Sequence, residues 1–118
     1  MNTEIKRLGV GPRMSEIAVH NGTIYLAGQV ADKSAGQGIA AQTKEVLGMI
    51  DALLAQAGSD KSKLLHCQIF ISDMADFAAM NTAWDQWVTP GHTPPRATVE
   101  AALARPGWLI EMVVIAAV

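Results

Sequence analysis

Along this chain the apolar residues first alternate with polar ones, then fall into steps of three and four, then alternate again, and each change of rhythm marks an element. "EIAVHNGTIYLAG" holds two short apolar runs around Asn21-Gly22. That pair readily supplies the positive φ angles of a type I′ turn, so the segment predicts a β-hairpin. From Gly38 onward Ile39, Thr43, Val46, Leu47, Ile50, Leu53, Leu54 and Ala57 lay one stripe along a helix, which Gly58 ends. "KLLHCQIFISD" is aliphatic and β-branched and predicts a strand, closed by Asp73, a residue suited to cap the next helix. In that helix Phe77, Met80, Trp84 and Trp87 share a face, and Pro90-Gly91 stops it. Pro94-Pro95 keeps the chain extended into "RATVEAAL", and "WLIEMVVIAAV" forms a last strand.

The expected order is β-β-α-β-α-β-β, an α+β layer with both helices on one face of a mixed sheet. No helix is left for the other face, and the economical cover is another copy of the protein. No repeat, linker or low-complexity segment divides residues 1–118, which are expected to form a single domain.

Composition sharpens this picture. Half of the 118 residues are hydrophobic and only 17% are charged, more apolar than a soluble monomer needs, which agrees with a subunit interface. A net charge of -2 without any Lys/Arg block offers no electrostatic footprint for nucleic acid. "MNTEIKRLGVGPRM" lacks the apolar region of a secretory signal, and no run is long enough to span a bilayer, so no membrane association and a cytoplasmic location are expected. The single cysteine, Cys67, cannot form an internal disulfide, and its strand context predicts an inert buried thiol.

Most candidate chemistry falls away. His20, His66, His92 and Cys67 have no ligand-pair spacing, since His66 and Cys67 are adjacent on a strand and point to opposite faces, so no metal site is expected. Neither "GVG" nor "GQG" matches a phosphate-binding loop, and no nucleophile elbow is present. The tryptophans of "NTAWDQWV" have helical spacing that favours core packing over ligand stacking.

Arg96 and Glu111 remain, two charges in segments that otherwise read as strand. Alternation puts Arg96, Thr98 and Glu100 on one face, with Arg96 at the strand's mouth. If the last two strands pair as a hairpin across "LARPGW", Glu111 arrives at the same end of the ladder, within reach of Arg96. The pair then forms a salt bridge, or Arg96 holds a ligand carboxylate by two parallel hydrogen bonds while Glu111 orients a water.

"HNGTIYLAGQV", "SKLLHCQIFISDMADFAAMNTAWDQWV", "PPRATVEAAL" and "LIEMVVIAAV" resemble the reactive-intermediate deaminase family (RidA, also called YjgF), and among it the small bacterial YoaB-like members. The resemblance runs from about Met14 to the C-terminus. It implies a chorismate-mutase-like fold, a homotrimer with its sheets packed inward, and three clefts between subunits. It also implies a cofactor-independent hydrolase: Arg96 clamps the carboxylate of an imino acid or enamine, and Glu111 positions the water that yields a 2-oxo acid and ammonia. Gly28 and Asn81 fall on positions of the family's cleft. Ala27 stands where the best-studied deaminases carry a serine, Thr98 where they carry a cysteine, and Met14 where a cleft tyrosine lies, so the substrate-shaping groups differ. Two other readings are a non-catalytic carboxylate-binding trimer and an RNA-cleaving translation inhibitor; the latter would want a basic groove.

Overall fold

The computed structural model describes residues 4–118, so the first three residues of "MNTEIKRLGVGPRM" lie outside the described part. The strands are β1 (Lys6–Val10), β2 (Ser15–His20), β3 (Thr23–Leu26), β4 (Gln29–Val30), β5 (Leu64–Ile71), β6 (Arg96–Glu100) and β7 (Ile110–Ala117); the helices are α1 (Ile39–Gln56) and α2 (Phe77–Trp87). The expected order is present, extended by β1 at the start and by the two-residue β4. One mixed sheet runs β1-β2-β3-β7-β5-β6, with β4 also pairing with β7. Both helices pack on one face, in a chorismate-mutase-like α+β arrangement.

The hairpin turn is where the sequence predicts it: Asn21 and Gly22 take φ of 51° and 78°, and His20 faces Thr23 directly across it. Asp73 does cap, but it accepts from Ala75 N–H at 2.9 Å in a single 3₁₀ turn that leads into α2, not on α2 itself. The core lies between helices and sheet. Val46, Leu47, Ile50 and Leu54 of α1 and Met80 and Trp84 of α2 meet Ile17, Ile24, Ile69, Ile71, Met112 and Val114, all nearly or fully buried. On the helix-free face Tyr25 and Val99 remain 46% and 43% exposed, beside the half-buried Phe70, Val113 and Ile115.

The last two strands do not form a hairpin. β6 runs parallel to β5, with Cys67 beside Arg96 and Ile71 beside Glu100. β7 runs antiparallel along the other edge of β5, with Phe70 beside Glu111. The connection explains this: α2 is a crossover, and a crossover returns the chain parallel to the strand it left. The more apolar β7 takes an interior place, whereas β6, carrying Arg96, Thr98 and Glu100, takes the edge.

Cys67 is fully buried under the helices, and burial pushes its thiol from an ordinary 9.0 to about 12, opposed in part by the nearby Arg96 charge. The folded state thus holds the proton more tightly than the unfolded chain. The associated stability is present below the unfolded pKa and lost as pH rises from about 9 towards 12. The gap in unfolding free energy between wild type and Cys67→Ala should therefore be constant near neutral pH. Above pH 9 denaturant titrations should show it moving against the wild type, by at most about 1.4 kcal/mol per pH unit.

Candidate functional site

Residues side by side on neighbouring strands share a face, so register fixes where each charge points. Arg96 lies beside Cys67, which faces the helices; Glu111 lies beside Phe70, which faces away from them. The two charges are therefore on opposite faces of the sheet, two strands apart. Neither the salt bridge nor the shared end of a hairpin ladder is formed within one chain.

Arg96 opens β6 and turns towards α2. That helix presents Phe77, Asn81 and Trp84 on one side, at spacings of four and three. The Arg96 guanidinium carbon sits 5.1 Å from the Trp84 ring centre and 6.0 Å from that of Phe77. Stacking uses the flat face of a guanidinium and leaves its N–H donors at the rim. Among the described residues nothing accepts a hydrogen bond from them. Thr98 follows on the same face of β6, and Thr98 Oγ1 and Asn81 Oδ1 are both buried without a hydrogen-bond partner. Each such atom costs about 1–3 kcal/mol if nothing meets it, and two of the three among the described residues, the other being Thr43 Oγ1 of α1, lie on the elements that frame the Arg96 guanidinium, which points to a polar site there. Trp84 packs in the core as its helical spacing predicts, being only 5% exposed, and it also contacts Arg96, which that spacing alone does not predict. The available signal was the seven-residue spacing of Phe77 and Trp84.

Glu111 belongs to a second group. Between the pairs Tyr25–Ile115 and Gln29–Met112, Leu26, Ala27 and Gly28 stand opposite only Val113 and Val114. This extra residue is a bulge, and it turns the backbone of Gly28 onto the Glu111 carboxylate. A Cβ on Gly28 would lie 3.0 Å from Glu111 Cδ and closer still to its Oε2, so only glycine leaves the carboxylate where it is. Ala27 is held by its N–H to the Glu16 carbonyl and by Gln29 Nε2 donating to its own carbonyl, both at 2.9 Å. Met14 precedes Glu16 by two residues in the β1–β2 turn and is 51% exposed. Ala27, Gly28 and Glu111 thus cluster, with Met14 in the turn before β2, and Asn81, Arg96 and Thr98 lie on the separate α2–β6 side.

A cavity of about 250 Å³ adjoins Glu111, walled by Phe70 and the Ala101–Ala104 stretch. No hydrogen bond from a described residue reaches the Glu111 carboxylate, whose lone pairs are open to it. The loop leading from that wall into β7 is fixed by Gln42 of α1, which is fully buried. Its Nε2 donates to the Gln37 and Gly107 carbonyls at 2.9 Å, and its Oε1 accepts from Leu109 N–H at 2.8 Å. A larger cavity of about 390 Å³ borders Gly28 on the α1 side, where Glu16, Gln29 and Asp32 meet Met49 and Leu53. Gln29 Nε2 also donates to Glu16 Oε2 at 3.2 Å. No motif in the sequence announces these polar groups. Among the described residues no group of three or more His, Cys, Asp or Glu side chains is placed to hold a metal ion.

The comparisons with known proteins agree with this architecture. Residues 5–118 match the family model described as Endoribonuclease L-PSP. A RutC family protein of Haemophilus influenzae is 52% identical over 112 residues, spanning 95% of this chain and 97% of that protein. The RutC family protein YoaB of Escherichia coli is 43% identical over 116 residues, spanning 97% and 98%. The crystal structure of a YjgF family member from Neisseria meningitidis superposes with a TM-score of 0.94 at 45% identity, covering 98% of this chain and 95% of that one. With sequence likeness over nearly the whole chain and the same two-helix sheet beneath it, this protein belongs to the RidA/YjgF family.

Proposed function

We propose that the protein hydrolyses reactive 2-imino acids, and the enamines in equilibrium with them, to 2-oxo acids and ammonia, in clefts between neighbouring copies of a homotrimer. The observation that carries this reading is the Arg96 guanidinium, lying over two aromatic rings with its N–H donors unclaimed by any described residue. Such donors match a carboxylate by two parallel hydrogen bonds, and holding the carboxylate fixes the adjacent imine carbon. Glu111, its lone pairs unclaimed beside a cavity that has room for water, accepts a hydrogen bond from the attacking molecule and aims it. The water oxygen bonds to the imine carbon, and the nitrogen takes up protons. Collapse of the carbinolamine then breaks the C–N bond and releases ammonia. A protonated imine is electrophilic enough for this without a cofactor.

Because Arg96 and Glu111 lie on opposite faces of one sheet, the reading requires the Arg96 of one copy to meet the Glu111 of another. Two features support that. Arg96 is on the edge strand, where a neighbouring copy can approach it, and the helix-free face exposes Tyr25 and Val99, which association would bury. A carboxylate-binding trimer without catalysis would use the same Arg96 but no Glu111. The description Endoribonuclease L-PSP points to RNA cleavage, yet a chain of net charge -2 without a cationic cluster is poorly suited to a phosphate backbone.

Sedimentation equilibrium at micromolar concentration should give a trimer, and a monomer would remove the shared cleft. Arg96→Ala should abolish turnover of an imine generated in situ by an amino-acid oxidase, and Arg96→Lys should be severely impaired, because an ammonium lacks the planar fork. Glu111→Gln should lower kcat by about a hundredfold while calorimetric binding of pyruvate is unchanged. A carboxylate-binding protein with no catalytic Glu111 would show no such loss of turnover. Refolding the Arg96→Ala and Glu111→Gln chains together in equal amounts should restore activity in about a quarter of the clefts. A site contained in one chain would recover none.

Gly28→Ala tests the Glu111 position by a separate route. The added methyl meets the flexible end of a side chain, so the melting temperature should shift by only a few degrees, while kcat falls as Glu111 is pushed aside. Unchanged kcat would mean that the observed carboxylate position is immaterial.

A further inference from the structure

We infer that Trp84 is a positioning residue for the carboxylate clamp, acting through Arg96, and that Asp51 and Trp87 hold it in place. The inference rests on the reading of Arg96 as that clamp. An arginine has a long flexible side chain, and confining it to one geometry costs rotamer entropy at the moment of binding unless something already holds it. No hydrogen bond from a described residue does so. What does hold it is aromatic: Trp84 at 5.1 Å, nearly buried, and Phe77 at 6.0 Å, more than a third exposed and at the limit of a useful cation–π distance. Trp84 is the closer and better-anchored partner.

Its own orientation is enforced from α1. Asp51 Oδ2 accepts the Trp87 indole N–H at 2.9 Å, and the Lys61 ammonium lies 5.3 Å from the Trp87 ring centre. Trp87 in turn packs on Trp84 with ring centres 5.5 Å apart and planes tilted by 52°. An exposed carboxylate on one helix thereby fixes an indole on the next, that indole fixes a second, and the second presents its face to the guanidinium. A cation held over a ring face keeps its N–H donors for other partners, and no described residue claims those of Arg96, so they remain for a carboxylate.

The test measures pyruvate binding by calorimetry and imine turnover on the assembled protein. Trp84→Leu should raise the pyruvate Kd and the KM about five- to tenfold with kcat at saturation little changed, and Trp84→Phe should recover most of the loss. Introducing a multiply fluorinated tryptophan at position 84 alone keeps the shape but removes the negative ring face, and should weaken binding comparably. This readout survives even if the leucine variant folds poorly, and a purely packing role would leave it unmoved. Asp51→Ala, at an exposed position, should weaken binding about two- to threefold by releasing Trp87. In an Arg96→Ala background none of these changes should have a further effect. If Arg96→Ala loses pyruvate while the fluorinated protein binds as tightly as wild type, the positioning role is wrong and the clamp stands. If Arg96→Ala itself binds normally, the clamp reading fails, and the inference with it.

Discussion

Alternation of side chains along β5 is the constraint on which the rest of the molecule depends. Cys67, Ile69 and Ile71 face the helices and are fully buried, while Gln68 and Phe70 face the other way. Every neighbour inherits its direction from the residue beside it: Met112 and Val114 of β7 fall into the core and Glu111 outside it, Arg96 and Thr98 of β6 towards α2 and Val99 away. Slipping β7 by one residue would drive Glu111 among Ile69 and Ile50 and expose Met112, exchanging a well-packed apolar face for a buried charge. That penalty locks the register, and the locked register separates the two charges.

How much of this was legible in the sequence follows from how local each feature is. The hairpin needs only Asn21 and Gly22, and α1 only its own stripe, so both could be read directly. The partner of β6 could not, because it depends on the crossover made by α2, which carries the chain back beside β5 and leaves β7 to pair along the other side of β5. Two strands lack a sequence signal, for different reasons. β1 reads "KRLGV", with a glycine at φ 62° inside it and a mostly exposed surface, so it lacks an apolar face to announce it. β4 is two residues long and exists because β7 offers an unused length of edge beyond β3. Arg96 and Glu111 could be singled out as misfits in apolar strands, but their faces follow from pairings that only the folded sheet contains.

Much of the polar structure around the second group secures loops. Glu45 of α1 accepts from the N–H groups of Lys33 and Ser34, at 3.0 and 2.7 Å, and from the Ser34 hydroxyl at 2.6 Å. These bonds, the serine hydroxyl's first among them, hold its carboxyl below the usual range despite an opposing desolvation effect. The segment after β4 is therefore tied to the helix it precedes, and the bulge at Gly28 is held from both sides: by Glu16 before it and by Gln29 and Glu45 after it. A backbone that must press against a carboxylate is better kept rigid than left to a mobile loop.

Gln42 carries this principle into the way the chain can vary in length. Its amide uses both nitrogen protons and its oxygen on backbone groups of two separate loops, at Gln37, Gly107 and Leu109. A residue inserted between Gly107 and Leu109 would break this three-way match and strand a fully buried amide. Length changes before β7 are thus confined to the stretch from Ala101 to Pro106, the side that borders the cavity beside Glu111. The part of the loop free to lengthen or shorten over generations is the part that would reshape the space beside that carboxylate, while the strand that carries Glu111 keeps its place.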